Sequence, residues 1–463
     1  MRSRSTDLQR QTVSKPRRRT MQIQLPEDVK RIINTLKEAG FEAYAVGGCV
    51  RDCLLGKTPN DWDITTSALP TEVKGLFSHT FDTGIKHGTI TVLLHHVGYE
   101  VTTYRIDGEY EDGRHPKAVS FTRSLQEDLL RRDFTINAMA YNEEDGIQDL
   151  FGGQQDLADG IIRCVGKAED RFGEDALRML RAVRFSAQLG FEIESETLKA
   201  MKNLSANLRL VSAERIQVEL VKTITSAHPE KLRIAYEQGL TAEFLPEFDL
   251  CMKTTQNNPN HMYTVGEHTI KAMQLIAPEK DLRLTMLLHD IAKPLLKTTD
   301  EEGIDHFHGH PQKSMEMAKE ILRRLKFDNN TVDRVSRLCA IHDVRIEPRK
   351  KCMRRALNKY GGDLFPAFFA VQRADVSAQS DYRRKEKLEW IAQNEADYKE
   401  IIESKECFSL KDLAVNGKDL IEAGVKPGPK VGKILNEMLN CVLEDPETNE
   451  KSRLFELCLP KTQ

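Results

Sequence analysis

The period of the apolar residues changes near residue 170. Between residues 41 and 165, short runs rich in β-branched and aromatic residues occur at 41–46, 62–66, 89–94 and 99–105, and they predict strands. A helical period precedes them, from Met21 to Gly40. Past Arg171 the strand signal nearly vanishes and helical periodicity takes over, interrupted at Pro246, Pro259, Pro311 and Pro348. The fold class that follows is α+β, a small mixed sheet with helices followed by an all-α part. Segment 107–124 carries Gly108, Gly113 and Pro116 among charges, which predicts a long loop beside the sheet, placed to gate a site. Near the end, Asn416-Gly417 and Lys426-Pro427-Gly428-Pro429-Lys430 are turn chemistry between amphipathic helices.

Composition narrows this only in places. A chain of 463 residues exceeds one ordinary core, so about three domains are expected. Lys and Arg total 68 against 71 Asp and Glu, a net charge of -3, which excludes attraction of nucleic acid by the molecule as a whole. Any RNA contact must come from local patches. Residues 1–20 hold Arg2, Arg4, Arg10, Lys15, Arg17, Arg18 and Arg19 against Asp7, a composition that predicts a disordered basic tail and makes Met21 an alternative start. No apolar run approaches the roughly 20 residues that cross a bilayer, so no membrane partner is expected. Nine cysteines without a Cys-x-x-Cys pair suggest neither disulfides nor a zinc knuckle, and a cytoplasmic location is expected. Oligomeric state leaves no signature.

The first chemical constellation follows the strand at 41–46. Gly47-Gly48-Cys49-Val50-Arg51-Asp52 is a strand-to-helix turn whose glycines let backbone N–H groups approach a polyphosphate, with Gly48 and Arg51 as the candidate contacts. Asp61 and Asp63 alternate along the next strand and are expected on one face, where two carboxylates can hold magnesium. Asp-x-Asp and Gly-Gly are each common; joined at this spacing they are specific.

The ordered run Gly47, Gly48, Val50, Arg51, Asp52, Leu54, Leu55, Gly56, Asp61, Asp63, Ile64, Thr65 and Thr66 resembles the signature of class II CCA-adding enzymes and bacterial poly(A) polymerases. The resemblance continues through 83–92, Arg131-Arg132-Asp133-Phe134-Thr135-Ile136-Asn137-Ala138 and Glu174-Asp175-Ala176-Leu177-Arg178, with Arg181 and Arg184 beyond. It implies a nucleotidyltransferase head, an elongated helical neck, body and tail, a tRNA acceptor end as partner, CTP and ATP as substrates, and Mg2+ on Asp61 and Asp63. Glu100 corresponds to the family's third acidic residue; a surface carboxylate is the alternative. Arg132, Asp175, Arg178, Arg181 and Arg184 are implied to bind nucleotide.

Base chemistry supports the last group. Cytosine and adenine share an exocyclic amino donor beside an unprotonated ring nitrogen, and guanine and uracil present the opposite order. An accepting Asp175 beside a donating Arg178, three apart on a helix, therefore suits C and A. The same residues also suit a helix whose first turn is acidic and whose arginines face solvent.

A second constellation occupies the helical part. His268, His289-Asp290 and Asp375 in this order resemble the HD superfamily, which implies a divalent transition metal and phosphohydrolase chemistry. His310 and His342 match extra ligands of fuller sites of that kind. Arg345, Arg349, Lys350, Lys351, Arg354 and Arg355 are a basic run suited to RNA phosphates or to a solvated helix face.

The expected organisation is 1–20 tail, 21–165 head, 166–255 helical neck, 256–380 HD domain and 381–463 tRNA-binding tail. A poly(A) polymerase is expected to replace Gly84-Ile85-Lys86-His87-Gly88 with a more basic segment ending in Ala-His-Val, and a CC-adding enzyme to shorten the 107–124 loop. An A-adding enzyme stays open. So does an HD phosphohydrolase with an RNA-binding head.

Overall fold

The computed structural model describes residues 23–108 and 119–459. The basic tail, the expected helix start at Met21 and the middle of the 107–124 loop lie outside the described residues. The chain divides into two units, 1–171 and 172–463. The α+β class holds: the first unit is a sheet with helices and the second is almost entirely helical.

The first unit opens with the helix Glu27–Glu38. Val29, Ile32, Ile33 and Leu36 recur at helical spacing and are all buried, giving one apolar face. The helix starts later than its apolar period suggested because Pro26 keeps an extended backbone at its entrance. The strands are β1 (Ala43–Val46), β2 (Asp63–Thr66), β3 (Thr80–Gly84), β4 (Thr89–Leu94), β5 (Val97–Thr103), β6 (Arg105–Asp107), β7 (Val119–Phe121), β8 (Met139–Asn142) and β9 (Gly146–Asp149). Seven of them form one sheet in the order β3-β4-β5-β2-β1-β8-β9, in which β2 and β5 are parallel. The pair β6 and β7 forms its own antiparallel ladder, so the flanks of the expected loop are regular. Tyr44, Val46, Tyr104, Leu129, Ala138, Ala140 and Val165 pack into a core cluster that steadies the centre of this sheet.

In the second unit the C-terminal helices build a small core of their own around Leu420, Met438, Val442 and Leu454. The buried guanidinium of Arg354, on the helix Lys350–Tyr360, closes onto it. It donates to the carbonyls of Leu443 (3.0 Å) and Glu444 (3.1 Å), the last of the helix Pro429–Glu444, and to the Glu406 carboxylate (2.8 Å). One side chain thus caps a helix C-terminus and neutralises a carboxylate.

Its neighbours in the basic run are also paired: Lys350 with Glu400, and Lys351 and Arg355 with Glu444. Four members of the run, Lys350, Lys351, Arg354 and Arg355, therefore carry acidic partners within the unit. Glu400, Glu406 and Glu444 are about 50 to 90 residues away along the chain, a separation that sequence spacing does not reveal. Arg354→Met removes the cap and leaves Glu406 uncompensated; calorimetry is expected to show a loss of about 3 kcal/mol in the transition involving the C-terminal helices.

Candidate functional site

Strand β1 ends at Val46 and the chain turns at Gly47 with φ +83°, a region that disfavours any side chain. A Cβ there would also lie 2.9 Å from Nη1 of Arg132. Gly47 is thus required both by its backbone and by the guanidinium packed against it. Arg51, on the following helix Gly48–Leu54, is held by Asp52 (Nε to Oδ1, 2.9 Å) and by Asn137 (Nη1 to Oδ1, 2.6 Å). Asn137 in turn donates to Asp133 at 3.1 Å. The Arg131–Asn137 segment therefore braces the turn as well as supplying charge.

Asp63 and Glu100 are register partners on β2 and β5, so their side chains leave the sheet side by side. Asp61 precedes β2 rather than alternating with Asp63 inside it, because the ladder with β5 begins at Asp63. The three carboxylates still interact. Asp63 keeps an open tip but is packed round by protein; that desolvation, opposed by Arg132 and reinforced by Asp61, holds its carboxyl above the ordinary value. Desolvation and then Asp63 and Asp61 raise Glu100 in the same way. Mutual repulsion of this kind is relieved by a cation. Their oxygens do not all approach within the 4.8 Å that marks the tighter clusters of the second unit.

On the same face, against Thr65 two residues along β2, lies Asp128, fully buried and not evident from the sequence. Oδ1 accepts from Arg131 (Nε 3.0 Å, Nη2 2.8 Å), and Oδ2 accepts from Thr65 of β2 at 3.0 Å. Arg132 reaches Oδ2 only at 3.7 Å, and its Nε has no hydrogen-bond partner. Arg131 is therefore committed to Asp128, while Arg132 keeps donors for an anion.

In the second unit, Asp175 precedes the helix Leu177–Leu189 and is gripped by Arg215 at 2.6 and 3.2 Å. Arg178 pairs with Glu174 at 2.5 Å. Arg184 is buried against Glu219 (3.0 Å) and over the Phe185 ring, so part of its charge is committed inside the unit; Arg181 lies 5.5 Å from the same ring. Neither Arg215 nor Glu219 stood out in the sequence, since each lies on another helix.

Deeper in the helical unit six predicted ligands come together. His268, His289 and Asp375 form one group, and Asp290, His310 and His342 another, each with its ligand atoms within 4.8 Å. Asp290 joins them: Oδ2 lies 3.3 Å from His289 Nε2, and Oδ1 lies 3.3 and 3.5 Å from Nε2 of His310 and His342. His268 Nε2 lies 2.8 Å from Asp375.

The tautomers are set from behind. His289, His310 and His342 face the carbonyls of Met286, Phe307 and Cys339 with Nδ1 at 2.8, 2.8 and 2.7 Å, which turns each Nε2 inward. Neither Asp290 oxygen nor His289 Nε2 has a hydrogen bond of acceptable geometry, although Lys293 Nζ sits 2.7 Å from Oδ2. Buried nitrogens and carboxylate oxygens aimed at one another in this way fit divalent metal. The cluster opens into a cleft of about 910 Å³, with Arg345, Lys387 and Trp390 on its wall.

The chain matches the family of the poly(A) polymerase head domain over residues 43–163 and tRNA nucleotidyltransferase domain 2 over residues 298–458. It is 36% identical over 438 residues to a CCA-adding enzyme of Lactiplantibacillus plantarum, covering 94% of this chain and 96% of the relative. A CCA-adding enzyme of Leuconostoc mesenteroides is 40% identical over 358 residues, 74% of this chain and 87% of that one. Among solved structures, Bacillus stearothermophilus CCA-adding enzyme in complex with CTP superimposes with a TM-score of 0.67 at 32% identity, covering 93% of this chain and 95% of that one.

Gly47→Ala is expected to push Arg132 aside and weaken CTP binding about tenfold or more in isothermal titration calorimetry, with circular dichroism unchanged. Equal affinity would mean that Arg132 and the turn are not where the triphosphate sits.

Proposed function

Because the chain belongs to the family of CCA-adding enzymes, which are nucleotidyltransferases, we propose that it adds C and A to the 3′ end of tRNA from CTP and ATP, without a template. The observation that carries this is the Asp63 and Glu100 register pair beside the Gly47-Gly48 turn and Arg132. Asp61 and Asp63, with Glu100 beside them, would hold magnesium, whose chemistry is to lower the proton affinity of the attacking hydroxyl and to stabilise the leaving pyrophosphate.

The remaining work falls to the chain itself. The open turn and the donors of Arg132 receive the triphosphate, while Arg51, fixed by Asp52 and Asn137, adds a second positive group. In the helical unit, Asp175 and Arg178 would select the base by its edge, with Arg181 and Arg184 as further nucleotide-binding residues. The tRNA 3′-hydroxyl then attacks the α-phosphorus, and the bond to pyrophosphate breaks.

Asp61→Ala is expected to abolish CMP and AMP incorporation while tRNA binding stays near normal in a filter-binding assay. The substrates are tRNAs ending before the first C, after C and after CC, each incubated with CTP or ATP and resolved at single-nucleotide length. Incorporation by Asp61→Ala would refute the assignment. Products of CC, A or oligo(A) alone would replace CCA addition by a partial or poly(A) activity.

The buried histidine cluster supports a second activity of another class, an HD-type metal-dependent phosphohydrolase. His268, His289 and Asp375 would hold one divalent ion and Asp290, His310 and His342 another, which would supply activation of water and polarisation of a phosphoryl oxygen. Purified protein is expected to carry about two transition-metal ions per chain by inductively coupled plasma mass spectrometry, and to hydrolyse bis-p-nitrophenyl phosphate. His289→Ala is expected to lower both, and unchanged metal content in that variant would defeat this assignment.

A further inference from the structure

The two base-selecting groups are each backed by an opposite charge, Glu174 behind Arg178 and Arg215 behind Asp175. We propose that Arg215, on the helix Ala213–Ile224, is a specificity-determining positioning residue that fixes the acceptor geometry of Asp175; this rests on Asp175 reading the base, as proposed above.

The argument is a count of lone pairs. A carboxylate oxygen accepts about two hydrogen bonds. Oδ1 of Asp175 already accepts from the backbone N–H of Leu177 at 3.1 Å and from Arg215 Nη1 at 3.2 Å. Oδ2 accepts from Arg215 Nη2 at 2.6 Å, which leaves it one position. Both side chains remain partly accessible, at 16% for Asp175 and 22% for Arg215, so that position is available to a ligand.

Asp175 can therefore accept one further hydrogen bond, at one place and from one direction. That suits the exocyclic amino group of C or A. Uracil and guanine carry their ring N–H one atom along the same edge, and only a carboxylate free to shift could meet it. Arg215 forbids that shift because its planar fork holds both oxygens at once. A lysine would keep the charge and release the orientation.

The test is single-nucleotide incorporation onto tRNA ending before the first C, measuring kcat/KM for CTP and UTP, and onto tRNA ending in CC for ATP and GTP. Full-length wild type, Arg215→Gln, Arg215→Lys and Asp175→Ala are compared. Both Arg215 variants are expected to raise the UTP/CTP and GTP/ATP ratios by about tenfold, the scale of one misplaced hydrogen bond. A purely structural role would not move these ratios.

Equal loss for all four nucleotides in both variants, with Asp175→Ala still raising the ratios, overturns the proposal for Arg215 alone. Unchanged ratios in Asp175→Ala overturn the base-reading role and this proposal with it. Arg215→Lys retains charge and bulk, so it keeps the test decisive if Arg215→Gln does not fold.

Discussion

A charge taken out of water must meet an opposite charge at fixed geometry, and this constraint organises both units of the chain. In the head, fully buried Asp128 ties Arg131 to Thr65 of the strand that carries Asp63. In the helical unit, Arg215 pins Asp175 and Arg354 closes the C-terminal core onto Glu406. Removing one partner of such a pair leaves the other uncompensated. Two opposite charges satisfied in only one arrangement leave the surrounding side chains only one arrangement too.

The two sites apply the same constraint with different chemistry. The head offers oxygen ligands alone, on a sheet face open to solvent, a donor set suited to a hard, hydrated cation. The helical cluster offers four imidazoles and two carboxylates, all buried, which suits a softer ion that stays. The two sites thus differ in ligand type and in access to water.

Much of this was legible in the residues, and the parts that were not share a cause. Strands with alternating β-branched residues, such as β4 and β5, stood out by period. β3 did not, because Thr80–Gly84 is a sheet-edge segment without a buried face, and the four buried residues of β8 carry no alternation. Asp61, Asp63 and the histidine ligands were visible because chemistry restricts which residue types can do their work. Asp128 and Arg215 were not, because their meaning lies in partners 63 and 40 residues away. Local spacing marks what touches a ligand, and only tertiary contact marks what holds that residue still.

Two of the histidines have a double duty. His289 and His342 stand directly after the helices Lys280–Leu288 and Asn329–Ile341, and their Nδ1 atoms lie against carbonyls of the final turn that lack helical partners. Each ring ends its helix with one nitrogen and offers the other to the cluster. A carboxylate or a thiolate could replace the second service but not the first, having no N–H to give a carbonyl. The nitrogen-rich character of the centre is thereby tied to how its helices stop, and drift toward an oxygen-ligated ion would require the helix ends to be rebuilt first.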